Sequence, residues 1–318
     1  MKRLFDTRTT LFDPARADLR DRTYYIPCFA DLVPLVKSIE NVGILNPPLL
    51  QERADGKMIP LLGRRRLQVA QHLNLPKIEV RIVMGRMPES EGFALALWDN
   101  LGHRKFDAAT TAVVVRRLLG LFSREVIAND FLPLLGIPAH GPRLERLSAI
   151  GGLDDASLQA LAMGRIQEKT AFTLSSLSPE EQGALLELTE VLGMNANKSA
   201  EVISHLFDLS VFQNRPILEF LKEDEVQSMV RDQDIPVPER AARFRRLIRS
   251  WKFPELAKSE EEFREWHRTL TQSDRIVVRP SPGFESRNCT VEIRTKSREE
   301  AERILNALRE DGNPVSKL

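Results

Sequence analysis

The sequence predicts an α+β protein, because strand and helix patterns alternate near the N-terminus, helices then follow almost without interruption, and a strand–strand–helix pattern comes last. We therefore expect an N-terminal extension at residues 1–23, a mixed domain at 24–104, an all-helical domain at 105–235 and a small ββα unit at 236–318. The stretch "RDQDIPVPER" contains two prolines and marks the last of these boundaries.

The composition is that of a folded protein without a strong overall charge. Of 318 residues 42% are apolar, and 46 Lys and Arg oppose 45 Asp and Glu, a net charge of +1. An electrostatic partner must therefore be met by a local patch. Cys28 and Cys289 lack zinc-ligand spacing, which suits a reducing compartment. No apolar run approaches the roughly 20 residues that span a bilayer, so we expect a cytoplasmic protein without a membrane partner.

The mixed domain shows a definite order of elements. "DLVPLVKSIENVGI" predicts a helix whose apolar face includes Leu32 and Ile39, and Gly43 is a natural C-terminal stop. "PPLLQERADGKMIPLLG" predicts a hairpin that turns at Asp55 and Gly56. A helix over 64–74 and the alternating strand "KIEVRIV" follow, so the order is helix, hairpin, helix, strand.

Three consecutive arginines, Arg64 to Arg66, stand in the first turn of the predicted helix and directly after Gly63. The N-terminus of a helix carries partial positive charge and unpaired N–H groups, so cations there are unfavourable unless something negative lies nearby. Residues 59–86 contain six basic side chains and one acidic one, a local charge of +5. This pattern indicates a site for phosphates, and Gly63 would let them approach the backbone closely.

The helical domain begins with well-capped helices. Asp107 precedes "AATTAVVVRRLLGLF", Ser123 precedes "REVIANDFLPLLGI", and further helices fit "DDASLQALAMGRI", "SPEEQGALLELTEVLGM" and "KSAEVISHLFDLS". The short connectors are typical of helix-turn-helix packing. Two groups of side chains are candidates for DNA contact, against the alternative of ordinary packing and helix capping: His140, Arg143 and Arg146 in one, and Asn195, Asn197 and Lys198 in the other.

The C-terminal unit opens with a basic amphipathic helix, "ERAARFRRLIRSWKFPEL". Phe244, Leu247, Ile248 and Trp251 form its apolar stripe, and five basic residues lie on the other side. We interpret it as a surface helix, with phosphate contact or docking to an acidic partner as the alternative. The strands "DRIVVRP" and "CTVEIRT" and the helix "SREEAERILNALRE" follow.

Three separate boxes resemble the N-terminal domain of the ParB/sulfiredoxin-like superfamily, in particular its chromosome and plasmid partition ParB branch. "VGILNPPLL" resembles the glycine-hydrophobic-Gln-Pro segment with Asn46 in place of Gln. "GRRRLQVA" resembles the GERRxRA box with Arg64 in place of Glu and Gln68 in place of the second Arg. "WDNLGHRKFD" resembles the ENxQR segment with Asp99 for Glu, one extra residue and His103 for Gln. The resemblance spans residues 24–209 and includes a helix-turn-helix domain.

The resemblance implies a protein that binds CTP, or another nucleoside triphosphate, with Mg²⁺ and closes as a homodimeric clamp on double-stranded DNA. The metal ligands carried over from the family's acidic-Asn segment are Asp99 and Asn100. The implied nucleotide-binding residues are Gly43, Asn46, Gly63, Arg64, Arg65, Arg66, Asn100 and Arg104. Chromosome or plasmid partition, or regulation at the nucleoid, is the expected role, with a partner ATPase and slow CTP hydrolysis as further expectations and no catalytic residue assigned.

The same residues are also compatible with other functions. Arg64 to Arg66 could form a solvated face with salt bridges to Glu40 or Asp99, or contact the DNA backbone directly. An enzyme on this scaffold, nuclease-like or NTP-dependent kinase, would need one of those two acids beside the box, while the sulfiredoxin branch is disfavoured because position 64 is not cysteine. A third alternative is a regulatory protein that keeps the fold and has lost nucleotide chemistry.

Overall fold

The computed structural model describes residues 5–85, 87–138, 141–270, 276–284, 286 and 288–311. The chain divides into two compact units, Met1–Ser204 and His205–Leu318. The helical segment up to residue 204 therefore belongs to the same unit as the sheet, and the division between the units falls inside a helix rather than at the proline-containing boundary.

A four-stranded sheet forms the first part of the first unit. Its strands are β1 (Thr7–Phe12), β2 (Leu49–Glu52), β3 (Met58–Leu62) and β4 (Ile78–Val83), in the order β1-β4-β2-β3. β2 and β3 form the predicted antiparallel hairpin, and β2 runs parallel to β4. β1 pairs antiparallel with β4, from Thr7 opposite Val83 to Phe12 opposite Ile78. The segment expected to be an extension thus supplies an edge strand of the sheet.

Two helices complete this α+β layer. α1 (Val33–Val42) ends at Gly43, which adopts a φ of 72° as the predicted stop requires. α2 (Arg64–His72) ends two residues before the predicted limit, because Leu73 caps it and Asn74 has a φ of 50°. The buried side of α2, Leu67 and Ala70, packs with inward-facing residues of the sheet in one core cluster: Phe12, Leu50, Met58, Ile78, Val80 and Ile82.

The rest of the first unit is helical. α3 (Glu89–His103) leads to α4 (Ala108–Leu121), whose N-terminus is capped by the Asp107 side chain. α5 (Arg124–Val126) continues through a π-helical turn at Ile127–Phe131 into α6 (Leu132–Leu135). Then follow α7 (Gly141–Ile150), α8 (Asp155–Ala162), α9 (Glu168–Leu174), α10 (Pro179–Val191) and α11 (Ala196–Gln213). α4 packs against α7 and α8.

The second unit begins in the C-terminal half of α11. It contains α12 (Ile217–Leu221), α13 (Asp224–Arg231), the basic helix α14 (Val237–Lys252) and α15 (Pro254–Leu270), which the sequence analysis did not predict. Phe244, Leu247 and Ile248 of the predicted stripe are buried. The strands β5 (Ile276–Pro280) and β6 (Cys289–Ile293) pair antiparallel, and α16 (Arg298–Asp311) follows them, as predicted.

In the part of the chain that the structure describes, no helix is both long enough and apolar enough to cross a bilayer. No group of three or more His, Cys, Asp or Glu side chains is placed there to hold a metal ion, and both Cys28 and Cys289 are free thiols.

Candidate functional site

The N-terminus of α2 is built on a glycine that no other residue could replace without strain. Gly63 is the N-cap and adopts the left-handed conformation, with φ 78° and ψ 24°. A Cβ atom there would lie 3.1 Å from Pro48 Cα and 3.3 Å from Arg66 Cζ. Gly63 therefore lets β3 turn into α2 directly beneath the three arginine side chains.

These arginines line a cleft of about 570 Å³. Its walls come from the segment before α1, the end of β3, the start of α2, the end of α3 and the start of α8. The lining comprises Tyr24, Tyr25, Ile26, Cys28, Phe29, Ala30, Leu32, Leu35, Pro60, Leu61, Leu62, Gly63, Arg64, Arg65, Arg66, Gln68, Asp99, Asn100, His103, Arg104, Asp155 and Gln159. The cleft thus combines cationic side chains with an apolar wall that includes Phe29 and Leu35.

Arg64 is held by the backbone of the preceding segment. Its two terminal nitrogens donate hydrogen bonds to the carbonyl oxygens of Leu19 and Asp21, and its guanidinium lies 4.8 Å from the centre of the Tyr25 ring. Burial lowers the pKa of Arg64 from its ordinary value. Both Nη atoms of this side chain are therefore already bonded within the protein.

Arg65 and Arg66 are held to different extents. Arg65 Nη2 donates to the carbonyl oxygens of Ala30 (2.9 Å) and Asp31 (2.6 Å), and Arg65 Nη1 donates to Cys28 Sγ (3.4 Å). The buried Nε of Arg65 has no partner among the described residues. Arg66 donates only to the carbonyl oxygen of Asn46, through Nη1, so its Nε and Nη2 have no partner among the described residues. Burial lowers the pKa of Arg66 as well. Among the three arginines, Arg66 makes the fewest hydrogen bonds to described residues of the protein.

The end of α3 brings the third box to the same cleft. Arg104 Nε donates to Asn100 Oδ1 (3.1 Å), and Arg104 Nη2 donates to the carbonyl oxygen of Pro27. Asn100 Nδ2 in turn donates to the carbonyl oxygen of Ala96. Asp99 lies 3.8 Å from His103 Nε2. The predicted metal ligand Asn100 thus directs its amide oxygen at Arg104, while the Asp99 carboxylate lines the cleft.

The charge of the cleft is not neutralised by ion pairs. Within the described part of the chain, no carboxylate lies within salt-bridge distance of Arg64, Arg65, Arg66 or Arg104. The alternative in which these arginines pair with Glu40 or Asp99 is therefore not the arrangement observed. Their acceptors are backbone carbonyls, the Asn100 amide oxygen and the Cys28 sulfur, none of which forms an ion pair with them, so the cleft retains an excess of positive charge.

The two remaining residues of the first box lie behind the cleft. Gly43 ends α1 and gives the chain its turn, and a Cβ there would meet no atom within 4 Å. Asn46 contributes its backbone carbonyl to Arg66. Neither residue lines the cleft. The Gly43 backbone ends α1, and the Asn46 carbonyl holds Arg66.

The two arginines of the first predicted DNA-binding group lie close to an acidic side chain of the same protein. Arg143 on α7 forms a two-bond ion pair with Glu168, with Nη2 2.8 Å from Oε2, and Arg146 Nε lies 3.7 Å from the same carboxyl group. The Arg146 guanidinium also lies 5.1 Å from the centre of the Phe172 ring. His140, the third member, lies outside the described residues.

The second group lies at the start of α11. The Asn195 side chain accepts a hydrogen bond from the Lys198 backbone N–H (3.0 Å), and Asn197 Oδ1 accepts one from Gln167 Nε2 (2.6 Å). The structure therefore uses Asn195 as a helix cap, as the alternative interpretation expected.

The sequence analysis missed the part of the cleft that comes from residues distant in sequence. Tyr25 and the ion pair between Arg22 and Asp155 stand at its edge, and Gln159 lines it from α8. The only signal for Tyr25 was its place in the aromatic pair of "RTYYIP". Nothing in the sequence pattern brings α8 to this position, because that contact depends on the packing of the helical layer.

Comparison with known proteins finds structural similarity only. No protein-family model and no curated protein sequence matches the chain. A truncated ParB from Caulobacter crescentus complexed with CTP-gamma-S has 16% identity and a TM-score of 0.27, covering 54% of this chain and 94% of its own. The same kind of truncated ParB complexed with the centromeric parS site has 15% identity and a TM-score of 0.30, covering 60% and 96%.

A Pnob8-like ParB-N domain is also similar, with 12% identity, a TM-score of 0.36, and coverage of 77% of this chain and 98% of that domain. All three neighbours are thus ParB proteins or a ParB-N domain, the family that the sequence boxes resemble. Because the identities and TM-scores are low, the similarities alone transfer neither the nucleotide nor the DNA of those structures to this chain.

Proposed function

We propose that the first unit binds a nucleoside triphosphate, CTP in the first instance, through the cleft at the N-terminus of α2. The observation that carries this proposal is that four arginines line one cleft and that, among the residues the structure describes, no carboxylate is in ion-pair contact with them. An anion is the ligand that balances this charge, and the apolar wall around Phe29 offers a surface for an uncharged ring. A nucleotide combines these two features in one molecule.

Phosphate contact would be made mainly by Arg66 and Arg104. A guanidinium carries five N–H donors, of which Arg66 uses one for Asn46. Arg104 has its Nη1 without a partner among the described residues. The first backbone N–H groups of α2 add donors that have no acceptor within the helix. Arginine–phosphate hydrogen bonds are charge-assisted, so they would replace bonds to neutral carbonyls favourably.

The residues present would hold Mg²⁺ only together with the nucleotide. Of the two carboxylates that line the cleft, Asp155 is paired with Arg22, which leaves Asp99 for a metal. Mg²⁺ in nucleotide sites is commonly held by one or two carboxylates, water and phosphate oxygens. When bound, the metal would neutralise part of the phosphate charge. Asn100 would have to release Arg104 before its amide oxygen could serve as a second ligand.

We infer further that the protein is a ParB-like DNA-binding protein, acting in partition or at the nucleoid. The helical segment α5–α6, which ends at the left-handed Gly136, and α7 after it have the order of a helix-turn-helix. Arg143 and Arg146 would reach phosphates only by leaving Glu168. Closure as a homodimeric clamp and contact with a partner ATPase belong to the same proposal and rest on the sequence resemblance.

The nucleotide proposal is tested by calorimetric titration of the full chain with CTP, ATP and GTP in the presence of Mg²⁺. Arg66→Ala should weaken binding by about tenfold or more, since a hydrogen bond to a charged group contributes about 1.5–3 kcal/mol. Arg8→Ala is the matched control, because Arg8 is exposed on β1 and does not line the cleft. Absence of binding in the unsubstituted protein, or equal losses in the two variants, would remove the proposal.

The DNA proposal has its own test. Glu168→Gln removes the carboxylate that holds Arg143 and Arg146 and keeps its shape. We expect this variant to bind duplex DNA more tightly than the unsubstituted protein, with a steeper dependence of affinity on salt, since more cations become available to phosphates. Weaker or unchanged DNA binding would place the DNA contact elsewhere. Release of phosphate from CTP, measured with and without DNA, addresses the alternative that the protein is an enzyme.

A further inference from the structure

Arg64 is bonded inside the protein more completely than Arg66, which lies two positions further along the same helix. Both terminal nitrogens of Arg64 donate to backbone carbonyls, those of Leu19 and Asp21. Arg66, by comparison, makes one such bond. The segment that Arg64 holds is also tied to the hairpin, because the Asp21 carboxylate accepts a hydrogen bond from Arg53. Arg64 is thus bound to one wall of the cleft rather than directed into it.

That wall is organised around Tyr25. The Arg64 guanidinium lies 4.8 Å from the centre of the Tyr25 ring, and the Arg22 guanidinium lies 5.2 Å from it. Both distances are within the range of cation–π contact. The ring, which lines the cleft, is therefore fixed by two cations from different parts of the chain.

Arg22 extends this arrangement to the helical layer. It forms a two-bond ion pair with Asp155 at the start of α8, with Nη1 3.0 Å from Oδ1. Tyr25 and Asp155 line the cleft and also line a neighbouring cavity of about 430 Å³ that is bounded by α4 and α8. The two residues therefore stand in the partition between the two spaces.

We propose that Arg64 is a positioning residue, which acts with Tyr25, Arg22 and Asp155 to hold the wall that receives the uncharged part of the nucleotide. We call these four residues the Tyr25 clasp. The proposal rests on the proposed function, since it assigns phosphate contact to Arg66 and Arg104 and recognition of the nucleoside to the wall that the clasp holds.

The division of roles predicts which part of a ligand each variant loses. A residue that binds the phosphate groups contacts them whether or not a nucleoside is attached. Arg66→Ala should therefore weaken the binding of both CTP and inorganic triphosphate, by about tenfold or more. Arg64→Ala should weaken the binding of CTP alone and leave that of inorganic triphosphate within about twofold, because only the wall is disturbed.

Asp155 supplies variants that do not touch the cationic helix. Asp155→Asn keeps the shape and removes the charge that holds Arg22, and should reproduce the selective loss of CTP affinity. Asp155→Glu keeps the carboxylate and should retain most of that affinity. When Arg64→Ala and Asp155→Asn are combined, the loss should be smaller than the product of the two single losses, since both act through the same wall. A general loss of stability would not produce this pattern.

The experiment is a calorimetric titration of the full chain and these variants with CTP and with inorganic triphosphate, both with Mg²⁺. Selective loss of CTP affinity in Arg64→Ala and in Asp155→Asn, with retention in Asp155→Glu, supports the inference. Equal losses for both ligands in Arg64→Ala would make Arg64 a phosphate ligand and overturn the inference alone. Unchanged CTP binding in Asp155→Asn would also overturn it. If neither ligand binds the unsubstituted protein, the proposed function fails and the inference fails with it.

Discussion

Replacing Gly63 with alanine perturbs the N-terminus of α2 in two separable ways. The backbone there has a φ of 78°, which L-residues other than glycine adopt at a cost. The new methyl group would in addition lie 3.1 Å from Pro48 Cα and 3.2 Å from Pro48 Cβ, closer than ordinary van der Waals contact. It would also lie 3.3 Å from Arg66 Cζ and would therefore displace the Arg66 guanidinium.

The expected loss of stability is the sum of a backbone cost and a crowding cost. The left-handed conformation costs an alanine about 1–2 kcal/mol. Crowding in a packed site typically adds about 1–3 kcal/mol. It applies here because the contacted atoms, Pro48 Cα and Cβ, belong to the backbone and the proline ring and cannot rotate out of the way. We therefore expect Gly63→Ala to lower the free energy of unfolding by about 2–5 kcal/mol. CTP affinity should fall in the folded fraction as well, since Arg66 is displaced.

Gly56 is the matched control. It has the same φ of 78° in the turn of the β2–β3 hairpin, and a Cβ there would meet no atom within 4 Å. Gly56→Ala should therefore show the backbone term alone, about 1–2 kcal/mol, and normal CTP binding. Hydrogen exchange in increasing urea, followed on peptides from β2, β3 and α2, assigns both changes to the first unit. Equal destabilisation by the two substitutions would refute the crowding argument.

Three further predictions concern the fold around the cleft. Ser178→Ala removes the cap of α10 and should cost about 1 kcal/mol in urea unfolding, whereas a change within error would contradict the capping-box geometry. Tyr24→Phe leaves the buried Gln51 without its 2.9 Å hydrogen bond and should cost about 1–3 kcal/mol by the same measurement, while a stabilised variant would show that the bond is dispensable. The hydrogen bond from Arg22 lowers the pKa of Asp155 below its ordinary value of 3.8. The contribution of this ion pair to the free energy of unfolding is therefore complete above pH 3.8 and is lost as the pH falls through the lowered pKa. Because these side chains are 60% and 64% exposed, at most about 1 kcal/mol is at stake, and Asp155→Asn should remove the corresponding part of the acid dependence.

Local signals predicted most of the first domain correctly. Gly43 ends α1, the turn at Asp55 and Gly56 joins β2 to β3, and the alternation in "KIEVRIV" becomes the half-buried strand β4. Each of these features depends on residues within about ten positions of one another, where periodicity and turn chemistry decide the conformation. The start of α2 after Gly63 was predicted for the same reason.

The partners of the arginines could not be predicted in this way. Arg64 meets the carbonyls of Leu19 and Asp21, and Arg22 meets Asp155 across 133 positions of the chain. A backbone carbonyl has no signature in a sequence, so salt bridges were the only partners within the protein that residue types suggested. The side chains of the third box were predicted to share a site with α2, and the structure places them in the same cleft. Their functional roles stay predictions.

The position of β1 at the sheet's edge has a consequence for synthesis and for any shortening of the protein. Thr7–Phe12 leaves the ribosome before its hydrogen-bonding neighbour β4, which lies about seventy residues further along the chain. The nascent strand must wait unpaired until Ile78–Val83 has emerged, with its exposed Leu11 a hazard for association with other chains meanwhile. A truncation that begins at Tyr24 would reverse the problem, because β4 would then present an open row of N–H and C=O groups in every molecule.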